Sequence, residues 1–149
     1  MKNAVIAVAA VALAGWGIVP NRPAMSPDEE AVRRAVQHYF DGSRGADSAE
    51  MGKAFESSVA HMLFIRDSAL VDVPIPEFLR RIAANHTADF KPDQNERKVV
   101  MVDVSGNSAV AKLVTRTQDQ LVVDYMSLLK IRGNWKIVTK IFDRLPVTQ

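Results

Sequence analysis

The stretch from Leu121 to Phe142 constrains this chain more than any other. Two runs rich in Val, Ile, Leu and aromatic residues flank Arg132-Gly133, and a two-residue turn between such runs makes a β-hairpin. Counting outward from the turn gives the register: Ile131 faces Asn134, Lys130 faces Trp135, Met126 faces Thr139 and Asp124 faces Ile141. Successive side chains point to opposite sides of a strand. One face then carries Asp124, Met126, Trp135, Thr139 and Ile141, and the other Tyr125, Val138, Lys140 and Phe142. Both faces are largely apolar, whereas a sheet with one solvated face alternates cleanly between apolar and polar. One face is therefore expected to meet helices and the other a second sheet or subunit, which points to a homodimer. The count gives the faces but not the direction of curvature. The working assignment is a pocket wall on the Asp124, Met126, Trp135 side and a dimer face on the Tyr125, Val138, Lys140 side.

The order of the remaining elements selects the fold class. Ser26-Pro27-Asp28-Glu29 reads as a capping box, with Ser26 as N-cap, Pro27 at the first helical position and Glu29 reaching back to the cap. Val32, Ala35, Val36, Tyr39 and Phe40 then recur at helical spacing until Gly42 and Gly45. Asp47-Ser48-Ala49-Glu50 repeats the cap signature and predicts a short helix over 48–55. Two extended runs, 59–65 and 69–73, meet at a polar Arg66-Asp67-Ser68 corner, and Pro74 with Pro76 opens a third helix that ends near Asn85-His86. After a polar loop over 87–96, strands are expected at 98–104, 109–117, 121–131 and 134–142. Helices first, one inserted helix and then consecutive strands give an α+β fold with helices on one face of an antiparallel sheet.

The N-terminus reads as an address. Met1-Lys2-Asn3 precedes an apolar run from Ala4 to Ala14, too short to span a bilayer and suited to a signal peptide. Ala12-Leu13-Ala14 places cleavage after Ala14, so residues 1–24 form a leader and tether and residues 25–149 one domain. The expectation is a protein exported to the periplasm or beyond. Cysteine is absent, which excludes disulfides, thiol nucleophiles and cysteine-ligated metals. The three histidines are widely spaced and fit no metal motif, the net charge is only +2, and the basic residues are scattered, so nucleic acid is not an expected partner.

Asp124-Tyr125-Met126-Ser127-Leu128-Leu129-Lys130-Ile131, Gly133, Trp135-Lys136-Ile137-Val138 and Lys140-Ile141-Phe142 resemble the terminal hairpin of the putative lumazine-binding family, within the nuclear transport factor 2-like superfamily. Val71 to Leu79, Asp103 to Ala111 and Tyr39-Phe40-Asp41-Gly42 resemble further stretches of it, so the likeness covers nearly all of the chain after about residue 27. The resemblance implies a cone-shaped α+β fold, three helices against a strongly curved sheet, an internal cavity and frequent dimerisation. It implies little chemistry, because the superfamily holds isomerases, dehydratases, cyclases and non-catalytic binding modules. Many members place a His-Pro or similar pair after the phenylalanine that is Phe55 here; this chain has Glu56-Ser57.

The ketosteroid isomerase branch combines a carboxylate base with a tyrosine and a protonated acid. Tyr39 and Asp124 could stand in for the last two, with His61 or Asp72 as base; alternatively Tyr39 is a core aromatic and Asp124 bonds Thr139 or a backbone amide. Pocket candidates are thus Tyr39, His61, Asp124, Met126, Trp135 and Thr139, and Tyr125 is expected to touch Lys140 on the dimer face. Two functions remain open: binding of a small apolar or aromatic molecule without cofactor or turnover, or a cofactor-free isomerase, dehydratase or cyclase working by acid-base catalysis. A cavity whose only polar groups are Tyr39 and Asp124, both internally bonded, would favour binding; two unpaired titratable groups converging on a void would favour catalysis.

Overall fold

The computed structural model describes residues 24–147. The expected leader lies outside the described residues.

Helix α1 (Pro27–Gly45) starts where the cap signature places it: Ser26 Oγ accepts from the Glu29 backbone N–H at 3.1 Å. The reciprocal half of the box is not made. Glu29 instead holds Arg33 one turn on, at 2.9 Å, an i,i+4 pair that competes for the same carboxylate. Val32, Ala35, Val36, Tyr39 and Phe40 are all buried. Helix α2 (Ser48–Gly52) is shorter than the expected 48–55, because the chain turns at Lys53 and Ala54 to lay Phe55 beside Ile137 in a parallel bridge. The α1–α2 corner is close-packed. A Cβ on Gly42 would sit 2.5 Å from the backbone nitrogen of Met51.

Strands β1 (His61–Arg66) and β2 (Ala69–Pro74) form a hairpin through Asp67 and Ser68, both in the left-handed region. Helix α3 (Ile75–Asn85) follows, then β3 (Glu96–Ser105), β4 (Ser108–Arg116), β5 (Gln120–Ile131) and β6 (Asn134–Pro146). They make one open six-stranded sheet in the order β2-β1-β6-β5-β4-β3. The sheet is mixed rather than purely antiparallel, since β1 runs parallel to β6, the two being separated along the chain by β2, α3, β3, β4 and β5.

The turn at Arg132-Gly133 is as expected, with φ of 51° and 81°, the two positive values of a type I′ hairpin. The register holds from Ile131↔Asn134 to Leu128↔Ile137 and then shifts: Ser127 pairs Thr139, so Val138 is an extra residue on β6. This is a β-bulge. Its cause lies in the neighbouring chain. Ile137 is held on its other edge by Ala54 O at 2.8 Å and by the Glu56 N–H at 3.0 Å, and from Thr139 onward that edge passes to β1. Changing neighbours absorbs one residue, and every β6 side chain beyond Val138 changes face.

Candidate functional site

The bulge decides what the interior contains. Along β6 the sheet face toward the helices carries Trp135 and Ile137 and then, past Val138, Lys140 and Phe142. On β5 the same face carries Asp124, Met126 and Leu128. Lys140, expected beside Tyr125 on the dimer face, is therefore an interior residue, while Thr139 and Ile141, expected inside, lie on the outer face opposite Ser127 and Tyr125. Tyr125 meets a different cation, with Lys112 Nζ 5.3 Å from its ring. Val138 is half-buried at the bulge.

Asp124 and Lys140 are the buried charged residues of the described core, 1% and 4% exposed. Lys140 Nζ lies 2.7 Å from Asp124 Oδ1, at an angle that leaves Oδ1 without an aligned hydrogen-bond donor. Tyr39, reaching in from α1, donates its hydroxyl to Asp124 Oδ2 at 3.4 Å. Thr139 takes no part. The ammonium is packed among soft and aromatic groups: Met62 Sδ at 3.9 Å, the Phe142 ring at 4.0 Å and the Tyr39 ring at 5.5 Å. Burial lowers the Lys140 pKa from its usual value, partly offset by the Asp124 charge. Burial likewise pushes Tyr39 well above 10.0, reinforced by the negative charge and hydrogen bond of Asp124, so the phenol stays protonated and acts as a donor.

The two residues considered as bases are elsewhere. His61 pairs with Thr139 across the β1–β6 ladder and Asp72 with Leu63, both on the outer face, where His61 Nδ1 lies 2.6 Å from Asp72 Oδ1. Neither approaches the interior triad. Trp135 is buried, and its indole N–H donates to Asp28 Oδ1 at 3.0 Å while Lys130 Nζ lies 2.7 Å from the same oxygen. Those two hydrogen bonds, Lys130 first, hold the Asp28 carboxyl below its usual range and tie the start of α1 to the hairpin. Met126 is packed in the core at 1% exposure.

From the floor made by Tyr39, Asp124 and Lys140, exposure increases toward the free ends of β1 and β6. Phe64, Val71, Phe78, Ile82 and Phe142 are only partly buried, and Arg66 and Arg144 are exposed. Arg97 also faces inward, its side chain 4% exposed and held in a fork by both Asp93 oxygens at 2.7 Å. This pins the loop between α3 and β3, whose polar sequence gave no sign of the contact. A groove of about 640 Å³ opens on the outer face, walled by Leu63, Ile65, Leu70, Tyr125, Ile141 and Leu145 and reaching Phe64 and Phe142. Its walls are open, with Ile65 and Leu70 66% and 68% exposed; such a surface suits a protein contact better than enclosure of a small molecule. Among the described residues no cluster of His, Asp or Glu is placed to hold a metal ion, and no helix is long and apolar enough to cross a membrane.

Solved structures carry the same architecture. A nuclear transport factor 2-like protein of unknown function from Shewanella baltica superposes with a TM-score of 0.70 at 27% identity, over 80% of this chain and 95% of that one. A second such protein, from Silicibacter pomeroyi, gives 0.68 at 18% identity over 81% and 100% of the two chains. A structure described as a putative dehydratase, from Streptomyces avermitilis, gives 0.56 at 18% identity over 83% and 100%. None of the curated proteins compared with the chain matches it. A family model described as putative lumazine-binding matches residues 27–143, an interval that runs from the first turn of α1 through Lys140 and Phe142 on β6, and the chain belongs to that family, within the nuclear transport factor 2-like fold.

Proposed function

We propose that this protein binds a small apolar or aromatic molecule at the open end of its cone without turning it over, and that it does so as an exported homodimer. The observation that carries the binding reading is the buried Tyr39–Asp124–Lys140 cluster. A buried ion pair is costly to desolvate and is matched or bettered in stability by apolar side chains of the same size. Its retention under a partly exposed apolar lining is what a ligand-orienting polar group requires. Non-catalysis is supported by the bonding: Tyr39 and Lys140 both converge on Asp124, while His61 and Asp72, the two residues considered as bases, are paired to each other on the opposite face. The exposed Ile65, Leu70, Tyr125, Ile141 and Leu145 on that opposite face supply a self-association surface.

Native mass spectrometry of protein purified from its own host is expected to show a retained small molecule that is lost in Asp124→Leu, with circular dichroism unchanged. Retention in that variant would place the ligand elsewhere. Sedimentation equilibrium is expected to give a dimer that Tyr125→Lys converts to monomer; a monomeric native protein would refute the self-association surface. N-terminal sequencing of the same material tests export, which calls for a start after Ala14; a start at Met1 would refute it.

A further inference from the structure

Resting on that reading, we infer that the ligand is an organic carboxylate, an apolar body carrying one negative charge that is met by Arg66 and Arg144 at the open end of the cone. The placement of cations carries this. Phe64 and Phe142 contact each other with ring centroids 4.9 Å apart. Arg66 lies 5.1 Å from the Phe64 ring, Arg144 5.1 Å from the Phe142 ring, and Lys140 Nζ 4.0 Å from that same ring. Three cations thus gather around one pair of phenyl rings. Asp124 is the single carboxylate that pairs with any of them, through Lys140; neither Arg66 nor Arg144 has an ion-pair partner among the described residues. Arg144 is also close enough for its charge to act on both Lys140 and Tyr39. The buried Arg97 does not add to the surplus, because Asp93 neutralises it.

A cation resting on an aromatic face is held weakly compared with one in a charge-assisted hydrogen bond. Two guanidinium groups parked on half-buried rings are therefore available to an incoming carboxylate, which arginine recognises in bidentate fashion. Phe78 and Ile82 of α3 are half-buried against the same core as Phe64 and Phe142 and add partly exposed apolar surface. The outer groove shares Phe64 and Phe142 with this set, but the charged residues that line it are one lysine and one aspartate, Lys112 and Asp143.

The test uses two probes of nearly identical shape, 2-naphthoate and neutral 2-naphthamide, titrated into the full chain by calorimetry. Wild type is expected to bind naphthoate about tenfold more tightly than naphthamide, the worth of one good hydrogen bond to a charged group. Arg144→Gln and Arg66→Gln, both at exposed positions, should each weaken naphthoate about three- to tenfold and leave naphthamide unchanged, while Ile141→Glu on the outer face should alter neither. Equal affinity for the two probes, or arginine variants without effect on naphthoate, would overturn the carboxylate inference and leave small-molecule binding standing. Loss of naphthoate in Ile141→Glu alone would move the site to the outer groove and overturn the inference. Binding of neither probe would count against the carboxylate and against the recess together.

Discussion

Replacing Lys140 by methionine tests the centre of this description. Both partners of the pair are nearly inaccessible, with side chains 5% and 1% exposed, so solvent does not screen their interaction as it does at a surface. Methionine preserves most of the packing against Phe142, Tyr39 and Met62 and removes only the charge. Asp124 is then a buried carboxylate with one long hydrogen bond from Tyr39, and its least costly response is to take up a proton. An aspartate in an unfolded chain titrates at about 3.9, so holding one neutral costs about 4 kcal/mol at pH 7 and about 1.5 kcal/mol at pH 5. Because the intact pair is close to break-even against apolar neighbours, Lys140→Met is expected to destabilise by about 3 to 4 kcal/mol at pH 7 and by less than about 2 kcal/mol at pH 5. Urea unfolding at the two pH values, followed by far-ultraviolet circular dichroism, reads this directly. The double variant Lys140→Met/Asp124→Leu should recover most of the loss at pH 7. A single-variant cost below about 1 kcal/mol at pH 7, or one that does not change between pH 5 and 7, would show that Lys140 does not face a buried Asp124.

Tyr39→Phe should lose about 1 kcal/mol at neutral pH with its hydrogen bond to Asp124. Because the phenol's folded pKa lies above 10.0, its stabilising contribution is present below pH 10.0 and is lost as the pH rises through the folded value, so the gap between wild type and variant should narrow in alkaline urea titrations. Lys140, whose lowered pKa makes its own contribution increase toward pH 10.5, is common to both proteins; a gap that stays constant would refute a buried phenol. Gly42→Ala should destabilise by about 2 to 3 kcal/mol, since its methyl would overlap Met51 at 2.5 Å, whereas at Gly45 the nearest atom is 3.8 Å away and alanine should be neutral or stabilising in thermal melts. Asp28→Asn should red-shift Trp135 emission in a Trp16→Phe background. The Asp28 pKa is lowered below 3.8, so the wild-type contribution is present above that pH and lost below it, and acid should red-shift wild type but not the variant.

What could be read from the residues, and what could not, divides along a physical line. The α1 stripe, the proline-opened α3, the Arg132-Gly133 turn and the order of strands along the chain depend on contacts within a few residues or on the solvent-facing period, and these appear in the structure with boundaries shifted by a residue or two, except that β6 runs four residues further, to Pro146. The parallel β1–β6 pairing is tertiary, and no local pattern marks it; the Asp93–Arg97 fork spans only four residues, but it lies at the end of a loop, where no helical repeat signals it. The interior cluster was half legible. Tyr39 closes the apolar stripe of α1 and Asp124 sits among apolar neighbours on the Trp135 face, and both can be read from the residues as interior polar groups. Their partner was assigned to the wrong side of the sheet.

That error has one cause. Register is an integer, and counting from a turn is valid only while no residue is added to either strand. Here the edge of β6 is shared, first with Ala54 to Glu56 and then with β1, and the change of partner inserts Val138. One unpaired residue carries Lys140 from an exposed contact with Tyr125 to a buried one with Asp124. It also brings Phe142 and Arg144 to the inner side, where with Phe64 and Arg66 they form the cationic rim. The signal available in the sequence was a lysine between Ile137 and Phe142 that fitted neither face, since an ammonium in an otherwise apolar strand needs either water or a carboxylate. The same carboxylate, Asp124, had no counter-charge within reach on its own side, Lys130 lying six residues further along the strand. Two unmatched opposite charges on paired strands argue for a bulge between them, and the choice of a register that unites them was open to charge pairing where it was closed to counting.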